Sequence, residues 1–185
     1  MALSTPEPRT KRHNRAIEMT GYQREDGLYD IEGHLRDVKG YDFDSTWRGK
    51  VAAGQSVHDM WIRLTVDETL LIKTVEAVID TGPHPICPNI TPNFKVLEGV
   101  RIAPGWYNNV KRLLGGAKGC VHLAEMLGPM GTVAYQTLGA NRVTAAQDQA
   151  KGRKRKKPAQ IDRCHVFASD GEMIKERWPE FYTGK

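Results

Sequence analysis

Apolar and polar side chains alternate without a break through residues 27–39. Tyr29, Ile31, Gly33 and Leu35 fall on one face of an extended chain, and Asp30, Glu32, His34 and Arg36 on the other. A turn-forming Asp26-Gly27 pair stands before this run. Residues 15–22 alternate well enough to supply the preceding strand, so the two form a hairpin. Residues 57–66 alternate again, with Met60, Ile62 and Leu64 on one side. They lead through Asp67-Glu68-Thr69 into residues 70–80, a second hairpin. Four antiparallel strands are predicted. Between the hairpins, residues 40–56 are rich in Gly, Asp and Ser and read as a long loop.

The pattern changes after Asp80. Prolines at 83, 85, 88 and 92 oppose a continuous helix or central strand and predict an extended strap. Phe94 to Gly99 offers one or two helical turns. Residues 106–116 predict a helix with Trp106, Val110, Leu113 and Leu114 on one face and a Gly-Gly stop. Residues 119–138 form the longest helical candidate, kinked at Gly128-Pro129. It has an apolar stripe of Leu123, Leu127, Met130, Ala134 and Leu138, and a polar stripe of His122, Glu125, Thr132 and Gln136. A short strand at 164–168 and a short helix at 172–177 follow. The fold class is therefore α+β: a curved antiparallel sheet of about four to six strands wrapped on one long kinked helix, plus shorter helices. Residues 1–13 are expected as a flexible tail and 14–185 as a single domain, with a mobile basic loop at about 144–160.

Composition narrows the class. The chain has 185 residues, 39% hydrophobic, enough for one folded domain with a substantial core. No apolar run approaches the roughly 18 residues of a membrane span. The first residues, MALSTPEPRTKRHNR, contain no apolar stretch of a secretory signal. Three cysteines are an odd number and no disulfide framework, so a reduced, cytoplasmic protein is expected. The net charge of +5 would invite nucleic acid were it spread over a face. Six basic residues instead lie in KGRKRKK, and without them 21 basic residues stand against 22 acidic ones. A solvated loop explains this better than a nucleic-acid partner.

Two groups of ionisable side chains carry the candidate chemistry. Glu32, His34 and Arg36 share one strand face, and Asp59, Trp61 and Arg63 share another, where an aromatic wall would suit a planar ligand. Lys73 sits in an otherwise apolar strand and is either desolvated, with base character, or reaches the edge. On the long helix, His122 and Glu125 are spaced i,i+3, so the carboxylate can orient the imidazole. A sheet curled around the helix would bring both groups into one chamber. The alternatives are a solvated, salt-bridged sheet face and an ordinary polar helix stripe.

Other sites are not supported. Cys87, Cys120, His122, Cys164 and His165 lack the close pairs typical of zinc sites. If both are helical, Cys120 and His122 diverge by about 200°. Only a later helix start would let them share an ion, and no metal is expected. No GxGxxG, P-loop, GxSxG or HExxH occurs. Gly115 to Gly119 could receive an anion at a helix start, but a helix–helix turn explains it equally.

The runs GYQREDGLYDIEGHLRD, HDMWIRLTVD, GPHPICPNITPNFKVLEG, GCVHLAEMLGP and SDGEMIKERWPEFYTG together resemble a family of bacterial proteins of unknown function, found chiefly in proteobacteria. The likeness extends from about residue 12 to the C-terminus. KGRKRKK departs from it, and Val121 stands where the family pattern has Thr. The resemblance implies a cytoplasmic protein of aromatic-degrading bacteria, associated with catabolism of lignin-derived compounds. Lyases that remove a hydroxymethyl group as formaldehyde belong to that chemistry. The expected function is a cofactor-independent carbon–carbon lyase on a small phenolic substrate, with a homodimer as the expected assembly. His34, Arg36, Lys73, His122 and Glu125 would be the catalytic candidates, and Asp59, Trp61, Arg63 and Gln136 would contact substrate. The alternatives are a non-catalytic binder of an aromatic metabolite and a metal-dependent enzyme with Cys and His ligands.

Overall fold

The structure is a computed structural model and describes residues 3–139, 157–158 and 160–184. KGRKRKK lies outside the described residues except for its last lysine, as does most of the expected basic loop. The chain divides into two compact units, residues 1–142 and 143–185.

In the first unit, the alternating runs become long strands. These are β1 (His13–Gln23), β2 (Tyr29–Lys39), β5 (Ser56–Val66) and β6 (Ile72–Thr81), with β3 (Phe43–Ser45) and β4 (Gly49–Val51) between them. β1, β2, β5 and β6 form one antiparallel sheet in that order. The predicted loop at 40–56 instead contains the short antiparallel hairpin β3–β4, a correction to the sequence reading. Its strands have only three residues each, too short to display a periodicity.

One face of the sheet is the core face. Tyr29, Ile31 and Leu35 of β2 and Met60, Ile62 and Leu64 of β5 are all buried. Burial of each such side chain contributes roughly 1.5–3 kcal/mol. The helix α2 (Val121–Thr137) lies against β1, β2 and β5 on this face with its predicted stripe: Leu123, Leu127, Met130 and Ala134 are buried. Gly33 and Gly21 make the close approach possible. A Cβ at Gly33 would meet Met126 and Met130, and one at Gly21 would collide with Thr137. A second helix, α1 (Trp106–Leu114), is tied to α2 by a buried bond in which Trp106 Nε1 donates to the Leu127 carbonyl at 2.7 Å.

The proline-rich segment is not an extended strap. Cys87–Leu97 is an eleven-residue 3-10 stretch with Phe94 and Leu97 buried. Pro88 occupies its first turn, where no backbone donor is needed, so proline ends nothing there. In the second unit, the predicted strand at 164–168 is a 3-10 turn, His165–Phe167. It is followed by α3 (Glu172–Arg177) and another turn, Pro179–Phe181. Ile161, Ile174 and Trp178 form a small separate core there. Among the described residues, no helix is long and apolar enough to cross a membrane.

Candidate functional site

The core face of the sheet ends in a polar row. Strand register places Arg15 of β1 opposite Asp37 of β2, and Asp37 opposite His58 of β5. By the two-residue period, all three share the face of Leu35 and Met60. Asp37 is 2% exposed, and a buried carboxylate must be paired. It is. Arg15 Nε donates to Oδ1 at 2.9 Å and Arg15 Nη2 to Oδ2 at 2.8 Å, a two-pronged clamp. His58 Nδ1 lies 2.9 Å from Oδ2, and His13 Nε2 lies 3.3 Å from Oδ1. Three hydrogen bonds thus hold the carboxylate, and His13 adds a longer ion contact. Arg15 Nη1 is held in turn by Glu125 of α2 at 2.8 Å.

The first turn of α2 completes the group. The His122 ring lies 3.9 Å from the His58 ring, centroid to centroid, tilted by 35°. One donor atom each from Asp37, His58 and His122 lies within 4.8 Å of the other two. Burial lowers the affinity of both imidazoles for a proton. Nearby positive charge adds to this, from Arg15 and His13 at His58 and from Arg15 and His58 at His122. Both rings are therefore held below the ordinary histidine range, although Asp37 pulls the other way. Burial pushes the Asp37 carboxyl up, but its bonds from Arg15 and His58 outweigh burial and hold it below the usual carboxylate range. Facing a carboxylate, His58 Nδ1 carries the proton, which leaves the Nε2 lone pair free.

The helix begins at Val121, and Cys120 precedes it in extended conformation. This is the later start that the wheel geometry required, and the Cys120 thiol sits 3.9 Å from His122 Nδ1. Cys120 Sγ is also 4.0 Å from Met60 Sδ. Met60 pairs across the sheet with Ile79, which lies in the wall of an open cleft of ≈ 210 Å³. Trp47, Arg48, His84, Pro85 and Pro88 also line that cleft.

The remaining candidates face the other way. His34 stacks on Trp61 with centroids 3.7 Å apart and bonds Asp59 through Nε2 at 2.7 Å. Arg36 contacts Ser56, and Arg63 bridges Glu32 and Glu76. Trp61, Arg63 and Glu32 line a shallow cleft of ≈ 280 Å³ on this outward face. Lys73 is paired with Asp67 at 3.0 Å and is 43% exposed, so it is not desolvated. Gln136 is exposed at the far end of α2. The expected convergence of the two polar groups in one chamber does not occur. The sheet itself lies between them, because His34 and Trp61 alternate out of phase with Leu35 and Met60. Only His122 and Glu125 belong to the inner cluster. Arg15, Asp37 and His58 were missed, although the two-residue period already put Asp37 and His58 on the apolar face.

An open four-stranded antiparallel sheet covered on one face by helices, with a carboxylate-held imidazole pair at the end of that face, defines an α+β protein with a buried polar centre. Residues 13–136 match the family described as "Protein of unknown function (DUF2889)", and the chain belongs to that family. No curated protein and no solved structure matches the chain.

Proposed function

We propose that this chain is an enzyme, a carbon–carbon lyase acting on a phenolic substrate of the kind derived from lignin. The observation that carries the reading is the pair of neutral imidazoles, one of them oriented by a clamped carboxylate. A base poised in this way has its lone pair available at neutral pH and its direction fixed in advance. It would take the proton from the hydroxyl of a hydroxymethyl group. The carbon–carbon bond then breaks, formaldehyde leaves, and the bonding electron pair stays with the conjugated aromatic fragment, whose carbon takes the proton back from the imidazolium to form a C–H bond. The cleft beside Ile79, which neither imidazole of the pair lines, offers an aromatic wall in Trp47 and a cation in Arg48 that suits a phenolate, with Asp80 also in its wall.

The test is formaldehyde release from phenolic compounds bearing a hydroxymethyl side chain. His58→Ala and His122→Gln should each lower turnover by about 100-fold or more, with native circular dichroism. Retained turnover in both, with loss in His34→Ala, would move the centre to the outward face. Ring binding in the Trp47 cleft without any turnover would favour the second reading, a binder of aromatic metabolites, which the aromatic lining of that cleft also suits.

A further inference from the structure

We infer that Asp37, His58 and His122 hold a divalent transition-metal cation of the zinc class. This rests on reading the inner cluster as the working centre; with both imidazoles spent as ligands, the cation would take over from them the task of acidifying the substrate hydroxyl, which revises the cofactor-free chemistry expected from the sequence. The residue types are those that zinc takes in catalytic sites, two imidazoles and a carboxylate with a further position open. The spacing agrees. Donors bound to one zinc at about 2.0–2.2 Å lie roughly 3–3.5 Å apart. His58 Nδ1 and Asp37 Oδ2 are 2.9 Å apart, and one donor atom each from Asp37, His58 and His122 lies within 4.8 Å of the others, so the cation would draw any pair wider than about 3.5 Å together.

The lone pairs close as well. Oδ1 of Asp37 is occupied by Arg15 Nε and His13, and Oδ2 by Arg15 Nη2 and His58. If the His58 proton moves from Nδ1 to Nε2, the ring stays neutral. A lone pair on Nδ1 and one on Oδ2 then point at the space that the proton left. A cation about 2.1 Å from both atoms would stand beside that 2.9 Å line rather than on it, so small rotations of the ring and carboxylate would turn the lone pairs to it, while Arg15 keeps its grip on the other lone pairs from outside the coordination shell. Charge also permits it: Asp37 and Glu125 together outweigh Arg15 by one negative charge. A cation added there leaves the centre positive. Its open position would take an oxygen anion, which is what a phenolate or a deprotonated hydroxymethyl group presents.

The experiment is a cobalt(II) titration of the full chain after chelation, read by visible absorption and by elemental analysis. One equivalent should bind. His122→Gln should weaken binding by about 100-fold, while Glu76→Gln on the outward face leaves it unchanged. His122 is half-exposed at a helix start, so its substitution should spare the fold, and circular dichroism checks this. Uptake below about a tenth of an equivalent, or equal affinity in His122→Gln, overturns the inference. The readout does not use turnover. Cobalt bound without any lyase activity removes the functional reading and keeps the site. Full turnover in protein that takes up no cobalt removes the site and keeps the functional reading.

Discussion

The sheet carries two carboxylate–imidazole pairs, one row apart and on opposite faces, and they differ in almost everything but their local geometry. Asp37 and His58 meet at 2.9 Å, and Asp59 and His34 at 2.7 Å. Each imidazole has an aromatic ring against it, His122 in the first case and Trp61 in the second. The inner carboxylate is 3% exposed in its side chain and clamped by Arg15; the outer one is 25% exposed, with Arg36 only at 3.9 Å. The same two residue types make a network around a buried carboxylate in one place and a more solvated surface pair in the other. What decides between them is cover. α2 lies on the inner face, whereas on the outer one Trp61 is 41% and the Arg63 side chain 45% exposed. A hydrogen bond alone therefore does not identify a working centre, and its surroundings must be read with it.

The largest expected difference is in stability. Asp37→Ala removes the acceptor from a buried network and leaves His58 and the Arg15 guanidinium without their partner. A loss of about 2–4 kcal/mol is expected in urea unfolding. Asp59→Ala, with water available to His34, should cost under about 1 kcal/mol. Equal losses would mean that cover does not separate the two pairs.

The inner pair was legible in principle, since the alternation that places Leu35 and Met60 inward also places Asp37 and His58 inward. A reading that follows only the apolar positions of a stripe passes over the polar residue at its end, where a core closes. The long strands, the helix α2 and its buried stripe were legible because their periods persist over eleven to seventeen residues. The β3–β4 hairpin and the 3-10 stretch at 87–97 were not. Three-residue strands carry no period, and prolines held in a 3-10 stretch, Pro88 in its first turn and Pro92 inside it, look like helix- and strand-breakers in sequence. Arg15 could be found only from the register between β1 and β2, which pairing partners fix and a single strand does not show.

Acid should act on the inner pair. His58 and His122 have folded-state affinities for protons below that of a free histidine, so the unfolded chain takes up protons first as pH falls. The stability that follows from keeping them neutral is complete above about pH 6.5 and declines as pH drops below it. Asp37 adds a second decline. Its folded-state pKa is depressed, so its contribution is present above about pH 3.8 and is lost as pH falls through the folded value. Urea midpoints of metal-free protein should drop between pH 7 and 5, and a His58→Asn, His122→Asn double variant should flatten that drop. A midpoint that rises on acidification would show the imidazoles to be charged in the folded state, and the neutral pair would be gone.

The smallest effect tests whether the outward face is as open as its lack of cover implies. Arg63 bridges Glu32 at 2.7 Å and Glu76 at 2.8 Å, two short bonds that would be costly to lose in a dry interior. Its side chain is 45% exposed, so water and salt compete for all three groups. Arg63→Met should cost about 0–1 kcal/mol, and most of that should vanish in 0.5 M salt, roughly where screening confines charge effects to a few ångströms. The methionine keeps the apolar stem against the sheet and removes only the charge, so the measurement isolates the ion pairs. A loss of about 3 kcal/mol that salt leaves intact would mean that these carboxylates sit out of water, as Asp37 does. The contrast between the two faces would then rest on the Arg15 clamp rather than on burial.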